Sequence, residues 1–264
     1  MHAFLLAGDN PDLALLELKG ALRAEVGRTD VELVHPRIAI VRGLKDEEAE
    51  IVVRRLARTH SCHRVEEEPQ GPEDLGRPLA TREKLADRKP HLRPVFRPDS
   101  TEPFLARTLV NVAAAPRGEP FLDPMCNVGG ILIEAGLIGC RPVIGIDVRE
   151  EMVKGARENL EAYGIRDHEL HVAKAQDVES VLEGPVAACA LDPPYGRASH
   201  SRPRDPVRLL MEVLDALTNV VEGRVALAVA DDVWKEVGPS FDHGPVVEDR
   251  VHSSLTRVVT YLRG

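Results

Sequence analysis

PFLDPMCNVGGILIEAGLIGCRPVIGID, residues 120–147, reads as a strand, a glycine-rich turn, a helix and a second strand. Pro120–Leu122 is a short apolar run that ends at Asp123. The turn Leu122–Gly130 holds one proline and two adjacent glycines. Ile131–Leu137 is apolar enough for a buried helix, and Pro142–Ile146 is a second apolar run ending at Asp147. A helix between two short strands returns the chain to the end of the sheet where it began, so the strands pair in parallel. The alternation extends both ways. Helix Glu102–Ala114 precedes it. Helix Glu150–Tyr163, strands Leu170–Ala173 and Pro185–Leu191, helix Pro206–Val220 and strand Arg224–Ala230 follow. Val246–Val251 and Arg257–Leu262 flank a turn at residues 252–256 and read as a closing hairpin. The expectation is an α/β fold: a seven-stranded, mostly parallel, Rossmann-like sheet covered on both faces, with an antiparallel C-terminal hairpin.

The N-terminal part reads differently. His2–Gly8 looks like a strand, and Asn10-Pro11 supplies an N-cap and a first-turn proline for a helix through Glu25. Val31–Val34 and Arg37–Val41 are strands around His35-Pro36. Asp46 starts a second helix, and His63–Glu68 is a last strand. The order β-α-β-β-α-β predicts a small ferredoxin-like α+β domain over residues 1–72. Residues 73–89 read as a basic linker with a short helix at Thr81–Arg88, and residues 90–264 as the larger domain.

Composition narrows the function. At 43% hydrophobic the 264 residues can bury a large core. No apolar run reaches the ~18 residues of a membrane span, and the start of the chain does not read as a signal peptide, so a cytoplasmic protein with no membrane role is expected. Cys62, Cys126, Cys140 and Cys189 lack CxxC spacing, which predicts reduced thiols and no metal site. A net charge of −9 argues against indiscriminate coating of nucleic acid. The charge is uneven, however. Residues 75–98 hold seven Arg or Lys against two acids. Arg197, Arg202, Arg204 and Arg208 form a second basic run. The two runs are either a phosphate-binding face, with Arg82, Lys84, Arg88, Lys89 and Arg197 as contacts, or solvated surface.

Two turns carry the chemistry. Pro185–Leu191 runs into Asp192-Pro193-Pro194-Tyr195-Gly196. Prolines fix φ and remove backbone donors, so this turn is stiff and the Pro193 carbonyl points outward. The Asp192 carboxylate and that carbonyl can each accept one hydrogen of an exocyclic amino group on a nucleobase. That favours a tetrahedral nitrogen and stabilises the charge that grows as it attacks a methyl group. Tyr195 offers a face for the base. The alternative is an ordinary strand-ending turn. In the first turn, glycines let backbone N–H groups approach a ligand closely. It is neither G-x-G-x-x-G nor a phosphate loop with lysine. A ligand with a carboxylate and an amine suits it, with Asp123 holding the amine. Asp147 at the tip of the second strand fits ribose hydroxyls, and Asp177 after the third strand suits an adenine amino group. Amino acid, ribose and adenine together describe S-adenosylmethionine. The alternative for Asp147 and Asp177 is that they cap the helices that follow.

These stretches resemble the class I S-adenosylmethionine-dependent N-methyltransferases of the Asp-Pro-Pro-Tyr type, over about residues 90–264. More closely they resemble the archaeal tRNA guanine-N2 methyltransferases that act on nucleotide ten. The resemblance rests on Arg97–Ser100 with Leu105–Arg107, Asp123–Cys126, Gly129–Ala135, Asp192–Arg197 and His252–Arg257. It implies Asp192, Pro193, Pro194 and Tyr195 as catalytic residues. It implies Asp123, Cys126, Asn127, Gly129, Asp147, Val148 and Asp177 as cofactor contacts, and tRNA as substrate. The chain departs from the family twice. Asn127 stands where a glycine is usual. The THUMP RNA-binding domain that family members carry between the two regions is missing, which implies docking through the basic linker or a protein partner. Two other readings stay open: an adenine-N6 methyltransferase using the same turn, and a non-catalytic RNA-binding or assembly subunit that keeps the fold.

Overall fold

The computed structural model describes residues 1–193, 205–252 and 255–263. The N-terminal part forms β1 (His2–Leu6), α1 (Pro11–Val26), β2 (Glu32–His35), β3 (Ile38–Val41), α2 (Asp46–Arg55) and β4 (Thr59–Arg64). Its sheet runs β2-β3-β1-β4 with every pairing antiparallel, the ferredoxin-like order. Asn10 caps α1 as its sequence predicts: its side chain accepts from Leu13 N at 3.1 Å. Leu18 and Leu22 of α1 and Val52 and Val53 of α2 pack over Phe4 and Leu6 of β1. The expected linker adds to this sheet. Ala80–Thr81 forms β5 on the edge of β4, and a 3-10 turn at Ala86–Arg88 replaces the expected short helix.

The larger part contains α3 (Pro103–Val112), β6 (Phe121–Asp123), α4 (Gly130–Ile138), β7 (Val143–Asp147), α5 (Glu150–Ala162) and β8 (His168–Val172). It continues with α6 (Val178–Val181), β9 (Ala188–Leu191), α7 (Pro206–Thr218), β10 (Arg224–Ala230), α8 (Asp231–Val237), β11 (Val247–His252) and β12 (Leu255–Arg263). The seven strands stand in the order β11-β12-β10-β9-β6-β7-β8. Only β12 runs against the others, inserted between β10 and β11. The expected fold class is therefore present, with the reversed strand one place in from the edge. β9 starts at Ala188, because Val186 pairs with Val221 outside the ladder. All four cysteines are buried and free.

Buried polar groups fasten the two parts together. α1 and α3 approach so closely that a Cβ on Gly20 would lie 2.0 Å from the Asn111 carbonyl oxygen, so only glycine fits. Arg55, 1% exposed, donates to Asn111 Oδ1 at 2.7 Å, Glu25 Oε1 at 2.6 Å and the Ala115 carbonyl at 3.0 Å. Glu17 accepts from Ala57 N, Arg58 N and Asn111 Nδ2. Arg55 is paired with Glu25, and Glu17 is held by three N–H donors; pairing and hydrogen bonding are the conditions for tolerating a buried charge. A second seam lies at β11, where Arg58 meets Asp9 at 3.1 Å and Asp249 at 3.7 Å.

Removing Arg55 takes a donor from the buried Asn111 Oδ1 and Ala115 carbonyl and leaves Glu25 with Arg117 alone. Arg55→Ala is expected to lower unfolding stability by about 3–5 kcal/mol in denaturant titrations. A loss below ~1 kcal/mol, the range of an exposed pair, would contradict this view of the seam.

Candidate active site

The strand order reverses beside β6. The chain leaves β6 through β7 and β8 and returns to β9 on the other side, which opens a crevice at the carboxyl ends of β6 and β9. Asp123 ends β6, Asp147 ends β7 and Asp192 follows β9. All three line one cleft of about 360 Å³, with the 124–128 turn on one side and residues 98–101 on another.

The turn is held by Cys126 N donating to the Ile146 carbonyl at 2.8 Å and Gly129 N to the Cys126 carbonyl at 2.7 Å. It needs two left-handed residues, Asn127 at φ 47 and Gly129 at φ 81. Asparagine enters that region at less cost than most residues, so the turn keeps its shape without a glycine. The Asn127 amide nitrogen donates to Asp147 Oδ2 at 3.1 Å, and its Nδ2 donates to the Asp99 carbonyl at 3.4 Å. Its Oδ1 is buried and has no partner among the described residues, and the same is true of Ser100 Oγ. Cys126 packs against β7, where a Cβ at Gly145 would sit 3.0 Å from its sulfur. Burial pushes its thiol well up from the ordinary value.

The three carboxylates differ in setting. Asp123 is 2% exposed and accepts from Met125 N at 3.1 Å. Burial pushes its pKa up to about 8, and the charges of Asp192 and Asp147 add to the rise. Asp147 accepts from Asn127 N, from Arg149 N at 2.9 Å and from Arg149 Nε at 3.3 Å. It therefore holds the chain before α5 and lines the cleft, while the N-cap of α5 is Arg149, with no side-chain capping bond. Asp192 accepts from the Thr101 hydroxyl at 3.1 Å through Oδ2. Pro193 lines the cleft beside it. Val148, 61% exposed, forms part of the rim. Pro194, Tyr195 and Arg197 lie outside the described residues.

Asp177 is not brought in. It ends the 3-10 turn Ala175–Asp177 and faces solvent, while Ala175 and Gln176 line the cleft. Successive residues of a 3-10 turn point about 120° apart, so the face presented to the cleft excludes Asp177. The expected RNA contacts also divide. Lys84 and Lys89 are exposed. Arg88 instead donates to the buried Glu134 at 2.9 Å, and Arg107 shares that carboxylate at 2.7 Å. Arg82 donates to the Ala57 carbonyl at 2.6 Å and lies 4.9 Å over the Phe104 ring. Arg88 is matched by Glu134, and Arg82 is held by a backbone carbonyl and the Phe104 ring. Sequence reasoning missed Thr101, Gln176 and Leu209 as cleft residues. The Arg97–Ser100 stretch was the one available signal for Thr101.

No group of three or more metal-ligating side chains occurs among the described residues, and no helix among them is long and apolar enough to cross a membrane. Residues 90–258 match the RMKL-like methyltransferase domain family. The chain belongs to that family. It is 40% identical over 185 residues to the tRNA (guanine(10)-N2)-dimethyltransferase of Methanothermobacter thermautotrophicus, covering 69% of this chain and 54% of that protein. It is 41% identical over 186 residues to the protein of the same name from Pyrococcus abyssi, covering 66% and 52%. The chain thus spans about half the length of these relatives. The crystal structure of TrmN from Thermus thermophilus aligns with a TM-score of 0.61 at 20% identity, over 100% of this chain and 99% of that one. At that identity the likeness shows the fold.

Asp123 sets a pH signature. Its folded pKa of about 8 exceeds its ordinary 3.8, so it stays neutral in the folded state while it ionises in the unfolded state. Stability from this group is full below the unfolded value and is lost as pH rises through the folded one. Asp123→Asn keeps the Met125 acceptor and removes that loss. Its stability advantage in denaturant titrations is expected to grow from pH 4 to pH 8 and level off above. A difference that stays flat across the range would show that Asp123 titrates normally.

Proposed function

We propose that this chain transfers a methyl group from S-adenosylmethionine to the exocyclic N2 amino group of a guanine in tRNA. One observation carries the reading. The Asp192 carboxylate stands at the crevice where strand order reverses, oriented by Thr101 and opposite the Asp123–Gly130 turn. The donor and acceptor set suits the cofactor. Asp123 matches an ammonium. The unpartnered Ser100 Oγ and Asn127 Oδ1 are polar atoms awaiting a partner. Asp147 has made bonds to backbone N–H groups through both oxygens, and a carboxylate's remaining lone pairs can still take ribose hydroxyls. Val148 supplies an apolar edge for a flat base. When bound, S-adenosylmethionine supplies an electrophilic methyl group.

The chain's own residues handle the acceptor. A guanine amino nitrogen shares its lone pair with the ring, so it is a weak nucleophile until its hydrogens are held out of plane. Asp192 and the Pro193 carbonyl accept those hydrogens, and Asp192 stabilises the positive charge that develops on nitrogen. Thr101 fixes the carboxylate before the base arrives, which removes reorganisation from the barrier. A paired guanine must first leave its stack. The adenine-N6 reading uses the same carboxylate; the names of the archaeal relatives favour guanine.

The transfer assay follows labelled methyl from S-adenosylmethionine into tRNA. Asp192→Ala is expected to cost on the order of 10²–10³ in kcat with cofactor affinity largely kept. Thr101→Val is expected to lower kcat about tenfold with KM little changed, and Thr101→Ser to restore it. Wild-type turnover by Asp192→Ala would remove the mechanism. Should the chain bind cofactor yet transfer label only when a second protein is added, docking belongs to that partner.

Asp147 separates binding from chemistry. Ribose does not change during methyl transfer, so Asp147→Ala is expected to weaken S-adenosylmethionine and S-adenosylhomocysteine by the same factor, measured by calorimetry. Unchanged affinity for both would leave Asp147 as a structural cap of the turn alone.

A further inference from the structure

Sheet order sets the order of groups along the cleft. Asp192 follows β9, Asp123 ends β6, Asp147 ends β7 and the 173–176 stretch follows β8, and these strands stand side by side in that sequence. Neighbouring strands lie about 4.8 Å apart. A ligand whose reacting end faces Asp192 and whose ribose meets Asp147 therefore places its base beyond Asp147, over the end of β8. The cleft there is lined by Val148, Arg149, Ala173, Ala175 and Gln176, and by Leu209 of α7. The apolar side chains among these suit the faces of a purine. Arg149 is engaged with Asp147. Gln176 is then the polar side chain that meets the edge of the base.

Asp177, which the sequence offers as the partner of the adenine amino group, faces solvent instead. Gln176 differs from a carboxylate in that its amide carries both a donor and an acceptor. An amide free to turn over accepts from an amino group or donates to a carbonyl with little preference. Gln176 is not free to turn. Its Nε2 donates to Glu212 Oε2 at 3.2 Å. The bonds from Arg208 and from Gln176 hold the Glu212 pKa below its usual value, so this carboxylate is ionised and only accepts. Its other oxygen takes Arg208 Nε at 2.8 Å, which fixes it along α7. Gln176 lines the cleft and Glu212 does not. Nε2 thus points away to α7, and Oε1 is the amide atom left for a ligand. Oε1 has no hydrogen bond with any described residue.

We propose that Gln176 Oε1 accepts a hydrogen of the adenine N6 amino group, and that Glu212 sets this specificity by holding the amide in its accepting orientation. Gln176 is then a specificity-determining residue and Glu212 a positioning residue. A purine with a 6-oxo group brings a second acceptor against Oε1 and is turned away. This contact rests on the S-adenosylmethionine reading given above, and it moves the recognition of the base from Asp177 to its neighbour.

The test is calorimetry on the full chain with S-adenosylhomocysteine and S-inosylhomocysteine, whose purines carry an amino and an oxo group respectively at the 6-position. Wild type is expected to prefer the adenosyl ligand by about tenfold or more. Gln176→Leu is expected to bring that preference down towards one, chiefly by loss of affinity for S-adenosylhomocysteine. Glu212→Ala frees the amide to turn. It is expected to cost S-adenosylhomocysteine roughly twofold, since about half of the amides then face the wrong way. The same variant is expected to bind S-inosylhomocysteine roughly fivefold more tightly than wild type. Asp177→Ala is expected to keep both wild-type affinities. A preference retained by Gln176→Leu, or lost in Asp177→Ala, overturns the assignment of Gln176. A preference unchanged in Glu212→Ala overturns the positioning role. If wild type shows the preference yet transfers no methyl group to tRNA, the functional reading fails and the adenine contact stands. Equal affinity for the two ligands in a wild type that methylates guanine overturns the contact and leaves the functional reading intact. If neither ligand binds, both fail.

Discussion

Three carboxylates share one crevice because the parallel sheet reverses its strand order at β6. Asp123, Asp147 and Asp192 arrive from the ends of three different strands and face the same cleft. Burial holds the Asp123 pKa up at about 8, and the charges of Asp192 and Asp147 add to the rise. The cleft is thus prepared for a ligand that brings positive charge.

The segment 93–101 turns this crevice into a site. It crosses the front of the sheet and is fastened at three points: Arg93 to Thr101, Asn127 to Asp99, and Thr101 to Asp192. The same segment therefore touches both the Asp123–Gly130 turn and the Asp192 carboxylate. Behind it, the shared Glu134 carboxylate binds Arg88 and Arg107 together, and the Arg55 and Glu17 groups lock the small sheet to α3. Arg88, which looks like a nucleic-acid contact in the sequence, is spent inside this scaffold, while Lys84 and Lys89 stay exposed.

The large sheet was legible because its strand–helix alternation and its acidic strand ends are local signals. Asp123, Asp147 and Asp192 could be placed from the strands that carry them. What depended on side-chain direction was not legible. Gln176 and Asp177 are neighbours, and only the phase of a single 3-10 turn decides which one faces the cleft. Arg82 and Arg88 read as free cations because their partners, the Ala57 carbonyl and Glu134, are distant in sequence. Thr101 is likewise 91 residues from Asp192, so no spacing rule reveals the bond. α8 begins with Asp231-Asp232 directly after β10 and is only seven residues long, too short for its periodicity to stand out. The turn at Asn127 shows the opposite case: a departure from glycine that the backbone accommodates at φ 47.

The central claim is that Asp192 and its turn present an amino group of guanine for methylation. The most direct measurement is nucleoside analysis by mass spectrometry of unmodified tRNA after incubation with the pure chain and S-adenosylmethionine. The account predicts added methyl mass on guanosine at N2, absent from the reaction with Asp192→Ala. Methyl mass on adenosine, or none on any nucleoside from a chain that binds both cofactor and tRNA, would contradict it.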